Sequence, residues 1–201
     1  TSILINYTLT LLKKQQNIKK GKLHLTLKKL KLYGAETIMQ TASLTTYDEK
    51  KWKATNVIGS FNPETSERIL LCAHWDSRPF ADRDSVKTFE STPILGANDG
   101  ASGVGVLLEV ARALASKKTD LGIDIIFFDL EDYGGGDEDN SWCLGTQYWA
   151  KNPHKPQYFA KFAILLDMVG AKNATFPKEG SSMFYAGPLM DKIWSKAQEM
   201  G

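Results

Sequence analysis

The sequence predicts an α/β fold: a mixed, largely parallel central sheet flanked by helices. Two observations point to it. The runs Arg68 to Ala73, Gly122 to Leu130 and Phe162 to Leu166 are apolar without alternation, as strands covered on both faces are. Between the first two, Val104, Leu107, Leu108, Ala111 and Leu114 recur at helical spacing. Strands that alternate with helices in this way build a parallel sheet, and such sheets bind ligands at the carboxyl ends of their strands.

Taken in order, residues 1–33 carry Leu9, Leu12, Ile18, Leu23, Leu27 and Leu30 among many lysines. This pattern predicts one or two amphipathic helices broken near Gly21, with a solvated basic face that includes His24. Gly34 is placed to end the helix. Thr37–Gln40 and Lys53–Phe61 read as strands joined by a polar loop from Asp48 to Lys51, and residues 62–66 as a turn. The charged stretch from Ser77 to Pro93 reads as a surface loop. A helix over 101–116 follows, then the second apolar strand, a Gly- and acid-rich loop from Tyr133 to Asn140, and a short helix near Leu144 to Ala150. The whole chain is expected to form one α/β domain, incomplete at its C-terminus, with residues 1–33 as a helical N-terminal segment.

Composition narrows the function classes. The 201 residues are 42% hydrophobic and 24% charged, an ordinary globular balance large enough for one core. A net charge of +2 gives no electrostatic reason to expect nucleic acid as a partner. No apolar run approaches the roughly 20 residues that span a bilayer, so no membrane span is expected. Cys72 and Cys143 do not make a disulfide framework, and Cys72 reads as a small core residue. A start at Thr1 without a signal-like apolar region suggests a trimmed product whose address went with its leader.

The three apolar strands end in His74/Asp76, in Glu131/Asp132 and in Asp167. Asp99 lies on the Gly-rich turn, Gly96 to Gly103, that opens the 101–116 helix. Any one of these acids could cap a helix or pair with a basic residue. Several carboxylates and an imidazole gathered at one sheet edge repel one another unless they are protonated or bind a cation. Carboxylate oxygen with histidine nitrogen suits zinc, other divalent metals being possible.

The segments Leu71-Cys-Ala-His-Trp-Asp-Ser-Arg-Pro79, Gly96-Ala-Asn-Asp-Gly-Ala-Ser-Gly-Val-Gly-Val-Leu-Leu-Glu109 and Phe128-Asp-Leu-Glu-Asp-Tyr133 resemble the zinc aminopeptidase superfamily. Ser141-Trp-Cys-Leu-Gly-Thr-Gln-Tyr-Trp149 and Ile164-Leu-Leu-Asp-Met-Val-Gly170 are similar, more narrowly, to the animal-type glutaminyl cyclases of Bacteroides-group bacteria. The likeness runs from about Ala54 to Gly201, and its five segments agree in order and spacing.

The resemblance implies that Asp99 and Asp132 bind a single catalytic zinc and that Glu131 shuttles protons. It makes Asp167 the acid that orients the shuttle or the substrate amine, and Trp142 an aromatic wall of the substrate pocket. His74 matches a second-metal ligand of the two-zinc aminopeptidases; in the cyclases that position stays beside the site without binding metal. The family's third zinc ligand is a later histidine, expected beyond Gly201. His154, in a loop between two prolines, is not nominated for that place. The family's Phe-Gly-Pro-Arg segment has no match in residues 1–33.

The implied substrates are peptides or proteins with an N-terminal glutamine, which the cyclases convert to pyroglutamate with release of ammonia. The implied address is the periplasm, or a lipid anchor. Two alternatives stay open: a two-zinc aminopeptidase, with Asp99 bridging Asp132 on one side and His74 and Asp167 on the other, and an inactive binding module that keeps the fold.

Overall fold

Five strands line up in the order β1-β2-β4-β3-β5: β1 (Glu36–Thr45), β2 (Lys51–Phe61), β3 (Arg68–His74), β4 (Gly122–Phe128) and β5 (Ala163–Leu165). The computed structural model describes residues 21, 23–117, 119–135 and 139–200. The helices expected within residues 1–20 lie outside these. The chain divides into two compact units, one ending at Gly170 and the other beginning at Ala171.

β1 and β2 form an antiparallel hairpin from Glu36 opposite Ser60 to Thr45 opposite Lys51. β2 pairs antiparallel with β4, whereas β4, β3 and β5 run parallel. The predicted mixed sheet is present, and its parallel half carries all three strands whose ends hold the acids. Helix α1 covers residues 23–32, α2 is Ala101–Ser116 and α3 is Leu144–Lys151. Gly34 ends α1 as expected, at φ +89°, and Ala35 N–H closes onto the Leu30 carbonyl at 3.1 Å.

All seven residues of β4 are buried, and their alternation divides the core. Ile123, Ile125 and Phe127 pack with Val57, Leu30 of α1 and Leu107 and Ala111 of α2. Ile126 and Phe128 pack with Ile58, Leu70 and Cys72, against Trp149 of α3. Each such side chain contributes about 1.5–3 kcal/mol on burial. The helices thus cover both faces of β4 and its neighbour β3.

Two strands differ from expectation. β1 extends to Thr45, well beyond Gln40, because its polar second half keeps pairing with β2. β5 is shorter and less buried than its apolar run suggests, with Ala163 and Leu165 exposed. It pairs with β3 and ends the strand order, so one of its sides lacks a described neighbour.

The second unit holds α4 (Gly180–Met200), interrupted where Ala186 turns to φ −140° two residues before Pro188. Glu179 accepts from the Ser181 and Ser182 N–H groups at 2.7 and 2.6 Å and so caps its first turn. Trp194 Nε1 donates to the Phe176 carbonyl at 2.7 Å. Among the described residues no helix is long and apolar enough to cross a membrane.

A charged residue inside β4 needs a partner. Asp124 is fully buried, and Arg68 grips it with Nε to Oδ2 and Nη2 to Oδ1, each at 2.7 Å. Ser60 and Tyr158 hydroxyls donate at 2.6 and 2.8 Å, and His154 Nε2 lies 3.6 Å away. His154 accepts from Trp149 Nε1 at 3.1 Å, so this histidine belongs to the buried network under β3 and β4. Burial alone would raise the Asp124 pKa, but these donors hold it well below the carboxylate range. A lowered carboxylate stabilises the fold above its unfolded pKa and loses that contribution as pH falls through the folded value. Asp124→Asn is expected to cost about 3–5 kcal/mol in urea denaturation near neutrality. The difference from the parent should shrink below about pH 4.

Candidate active site

His74 closes β3 with its side chain almost fully buried. Its Nε2 lies 2.9 Å from Asp99 Oδ1 and 3.5 Å from Asp167 Oδ1. Its Nδ1 lies 3.5 Å from Asp76 Oδ1 and 3.7 Å from Glu131 Oε2. Neither ring nitrogen has a hydrogen bond of ordinary geometry. Three strand ends and one helix start therefore meet at a single imidazole.

The local chain is shaped for this meeting. Gly100 precedes α2 at φ +87°, and a Cβ there would stand 2.4 Å from the Asp76 carbonyl oxygen. Only glycine lets the turn pass beneath His74. Asp99, one residue earlier, does not cap α2: the cap position is Gly100 and no side chain bonds there. Its carboxylate is left for the site.

Beyond β4 the backbone reverses through Leu130 at φ +51°. Asp76 receives the strand end, its two oxygens accepting from the Glu131 and Asp132 N–H groups at 3.1 and 3.2 Å. The first N–H groups of α3 complete the anchorage, with Cys143, Leu144 and Gly145 donating to the carbonyls of Glu131, Leu130 and Asp129. Asp167 follows β5 and precedes Met168 at φ +50°. Ser102 Oγ accepts from Val169 N–H at 3.0 Å, and Asn98 Oδ1 from Gly170 N–H at 2.8 Å. Left-handed Leu130, Cys143 and Met168, each next to a predicted site residue, store on the order of 1 kcal/mol or more apiece.

Charge crowding shows in the acidities. Burial raises the Glu131 pKa above its ordinary value; the charge of His74 opposes this, and Asp76 and Asp167 add to it. Asp132 is pushed up to about 6, first by burial and then by Asp99, against a 2.6 Å bond from Arg78 N–H to its Oδ2. Asp167 is lowered, chiefly by His74. For His74 burial disfavours the charged ring, but Asp167, Asp76 and Glu131 outweigh it and raise the pKa to about 11.

The acids thus demand a positive charge at this point, and a divalent cation supplies it equally well. The His74, Asp99 and Asp167 donor atoms lie within 4.8 Å of one another. An imidazole with unbonded nitrogens beside carboxylate oxygens is a fitting donor set for zinc.

A cavity of about 480 Å³ adjoins this cluster, lined by residues 81–84 with Arg78, Ile94, Asp99, Asp132 and Trp142. Asp99 belongs to both. The predicted residues therefore fall into two overlapping sets: Asp99, Asp132 and Trp142 on the cavity wall, and Asp99, Asp167, Glu131 and His74 around the imidazole. Sequence reasoning gave no part to Arg78, Asn98 or Ser102, and placed Asp76 only at a strand end. Arg78, Asn98 and Ser102 all stand inside the quoted motifs, which was the available signal.

The model of peptidase family M28 matches residues 56–200. The chain belongs to peptidase family M28. Among solved structures of this kind, a Zn-dependent exopeptidase from Parabacteroides distasonis is 52% identical with a TM-score of 0.89, over 91% of this chain and 64% of that one. A Bacteroides thetaiotaomicron glutaminyl cyclase bound to N-acetylhistamine is 48% identical with a TM-score of 0.89, over 93% and 65%. The glutaminyl-peptide cyclotransferase of Gloydius blomhoffii is 29% identical over an alignment of 144 positions that covers 61% of this chain. The chain spans 38% of the length of that curated relative.

Asp76 holds two successive main-chain amides, those of Glu131 and Asp132. Asp76→Ala in a full-length protein is expected to weaken zinc binding by about 10–100-fold, read by chelator competition. Unchanged affinity would show that the strand end keeps its geometry without this carboxylate.

Proposed function

We propose that the protein is a zinc-dependent glutaminyl-peptide cyclotransferase that converts N-terminal glutamine to pyroglutamate and ammonia. One observation carries this reading: Asp99 is shared between the acid cluster around His74 and a cavity walled by Trp142. The similarity to a Bacteroides cyclase and to a curated cyclotransferase supports it. One zinc is assigned to Asp99 and Asp132, whose carboxylates line the same cavity and repel each other without a cation. An address in the periplasm or on a lipid anchor rests on the resemblance alone.

In this reaction the α-amine forms a bond to the side-chain amide carbon, the carbon–nitrogen bond of that amide breaks, and no water is consumed. Zinc, when bound, supplies an electrophile for the amide carbonyl. Glu131 accepts the proton that the attacking amine sheds and returns it to the leaving nitrogen. A carboxyl group lifted by burial suits both halves of that transfer. Asp167, 3.5 Å from His74 Nε2, is assigned to orient the amine. Trp142 limits the width of the cavity and so favours the folded-back glutamine geometry that closes the ring.

A second reading has its own support. His74, Asp99 and Asp167 meet with ligand spacing, as one subsite of a two-metal aminopeptidase requires, and an exopeptidase is among the similar structures. The chemistry separates the two. The cyclase releases ammonia from Gln-initiated peptides and leaves Leu-initiated ones intact, whereas the aminopeptidase releases free leucine. Mass spectrometry of both peptides with a full-length protein, with and without chelator, is expected to show chelator-sensitive cyclisation alone, with about one zinc per chain by metal analysis. Glu131→Gln should lower kcat by about 10²–10⁴-fold with the metal retained. Chelator-sensitive leucine release without ammonia would overturn the cyclase assignment.

A further inference from the structure

Arg78 joins the two sides of the cavity. Its main-chain N–H donates to Asp132 Oδ2 at 2.6 Å, and Nη1 donates to the carbonyls of Asp132 and Gly134 at 3.0 and 3.2 Å. Nε donates to Asp82 Oδ1 at 2.6 Å and Nη2 to Asp82 Oδ2. With these bonds made, the guanidinium lies over Trp142, its central carbon 5.0 Å from the ring centroid. The side chain is only 13% exposed. A guanidinium is planar, so two carbonyls and a carboxylate that fix its donors also fix the plane against which the indole rests.

Gly134 reinforces the arrangement. A Cβ at that position would stand 2.0 Å from Trp142 Cδ2, so the indole occupies space that only glycine leaves open. The same carbonyl of Gly134 is held by Arg78. One residue thus touches the candidate ligand Asp132, the loop that follows it and the aromatic wall.

We propose that Arg78 is a positioning residue that seats the Trp142 indole in the cavity and ties this wall to Asp132. Substrate recognition then depends on Arg78 without any contact between Arg78 and the reacting atoms. The consequence for turnover rests on the cyclase reading; the seating of Trp142 does not.

The test uses a full-length, zinc-loaded protein and the variants Arg78→Lys, Arg78→Met and Asp82→Asn. With a Gln-initiated peptide, Arg78→Met is expected to raise KM about tenfold while kcat falls no more than about threefold. Arg78→Lys should recover only part of this, because an ammonium cannot reproduce the planar contact. Asp82→Asn, which loosens the guanidinium without removing it, should lie between parent and Arg78→Met. Zinc affinity should change little, since the bond to the Asp132 carboxylate comes from the main chain.

The second readout needs no turnover. Acrylamide quenching of Trp142 fluorescence, isolated by subtracting matched Trp142→Phe proteins, should increase in Arg78→Met. Unchanged quenching with unchanged KM would overturn the proposal. So would a loss confined to kcat and zinc affinity, which would mean that Arg78 acts through Asp132 alone. If the parent cyclises no glutamine, the functional reading fails, and quenching still decides whether Arg78 seats Trp142.

Discussion

The site depends on a concentration of negative charge around one buried imidazole. Asp76, Asp99, Glu131 and Asp167 all lie within 3.7 Å of a His74 ring nitrogen. Bringing them together is unfavourable unless positive charge sits among them, as a proton on the ring or as a metal ion. The parallel strands make the meeting possible, because β3, β4 and β5 end at one edge and the buried register of β3 on β4 cannot slip. In return the edge is left electrostatically incomplete, which is the condition for binding a cation.

The scaffold spends hydrogen bonds and backbone strain at this edge. Asp76 holds the amides of Glu131 and Asp132, α3 begins by donating to carbonyls 129–131, and Ser102 with Asn98 holds the chain after Asp167. Left-handed Leu130, Cys143 and Met168 turn the chain sharply beside the residues they present. Strain of this kind persists where the surroundings over-determine the backbone, and two covered sheet faces provide that. The Asp124–Arg68 pair keeps the opposite part of β4 in register with β3.

Arg78 and Asp99 link the acid cluster to the space where a substrate is proposed to lie. Asp99 is common to both, and Arg78 connects Asp132 to the Trp142 wall. The acid cluster and the cavity therefore share a wall.

The sequence by itself determined the element order and the residues that meet. Unalternating apolar runs predicted β3 and β4, helical spacing predicted α2 within a residue, and the acids after each strand marked the edge at which they gather. These features are local, since periodicity and strand ends are written in consecutive residues. Tertiary structure decided what depends on distant neighbours. The exposure of β5 follows from its place in the strand order, and the burial of His154 from a network that begins at Arg68. Asp76, Arg78, Asn98 and Ser102 act by bonding to main-chain groups 54 to 72 residues away. The motifs that hold Arg78, Asn98 and Ser102 marked the region, but a bond to a distant backbone group follows no periodicity, so only the folded chain shows the partners.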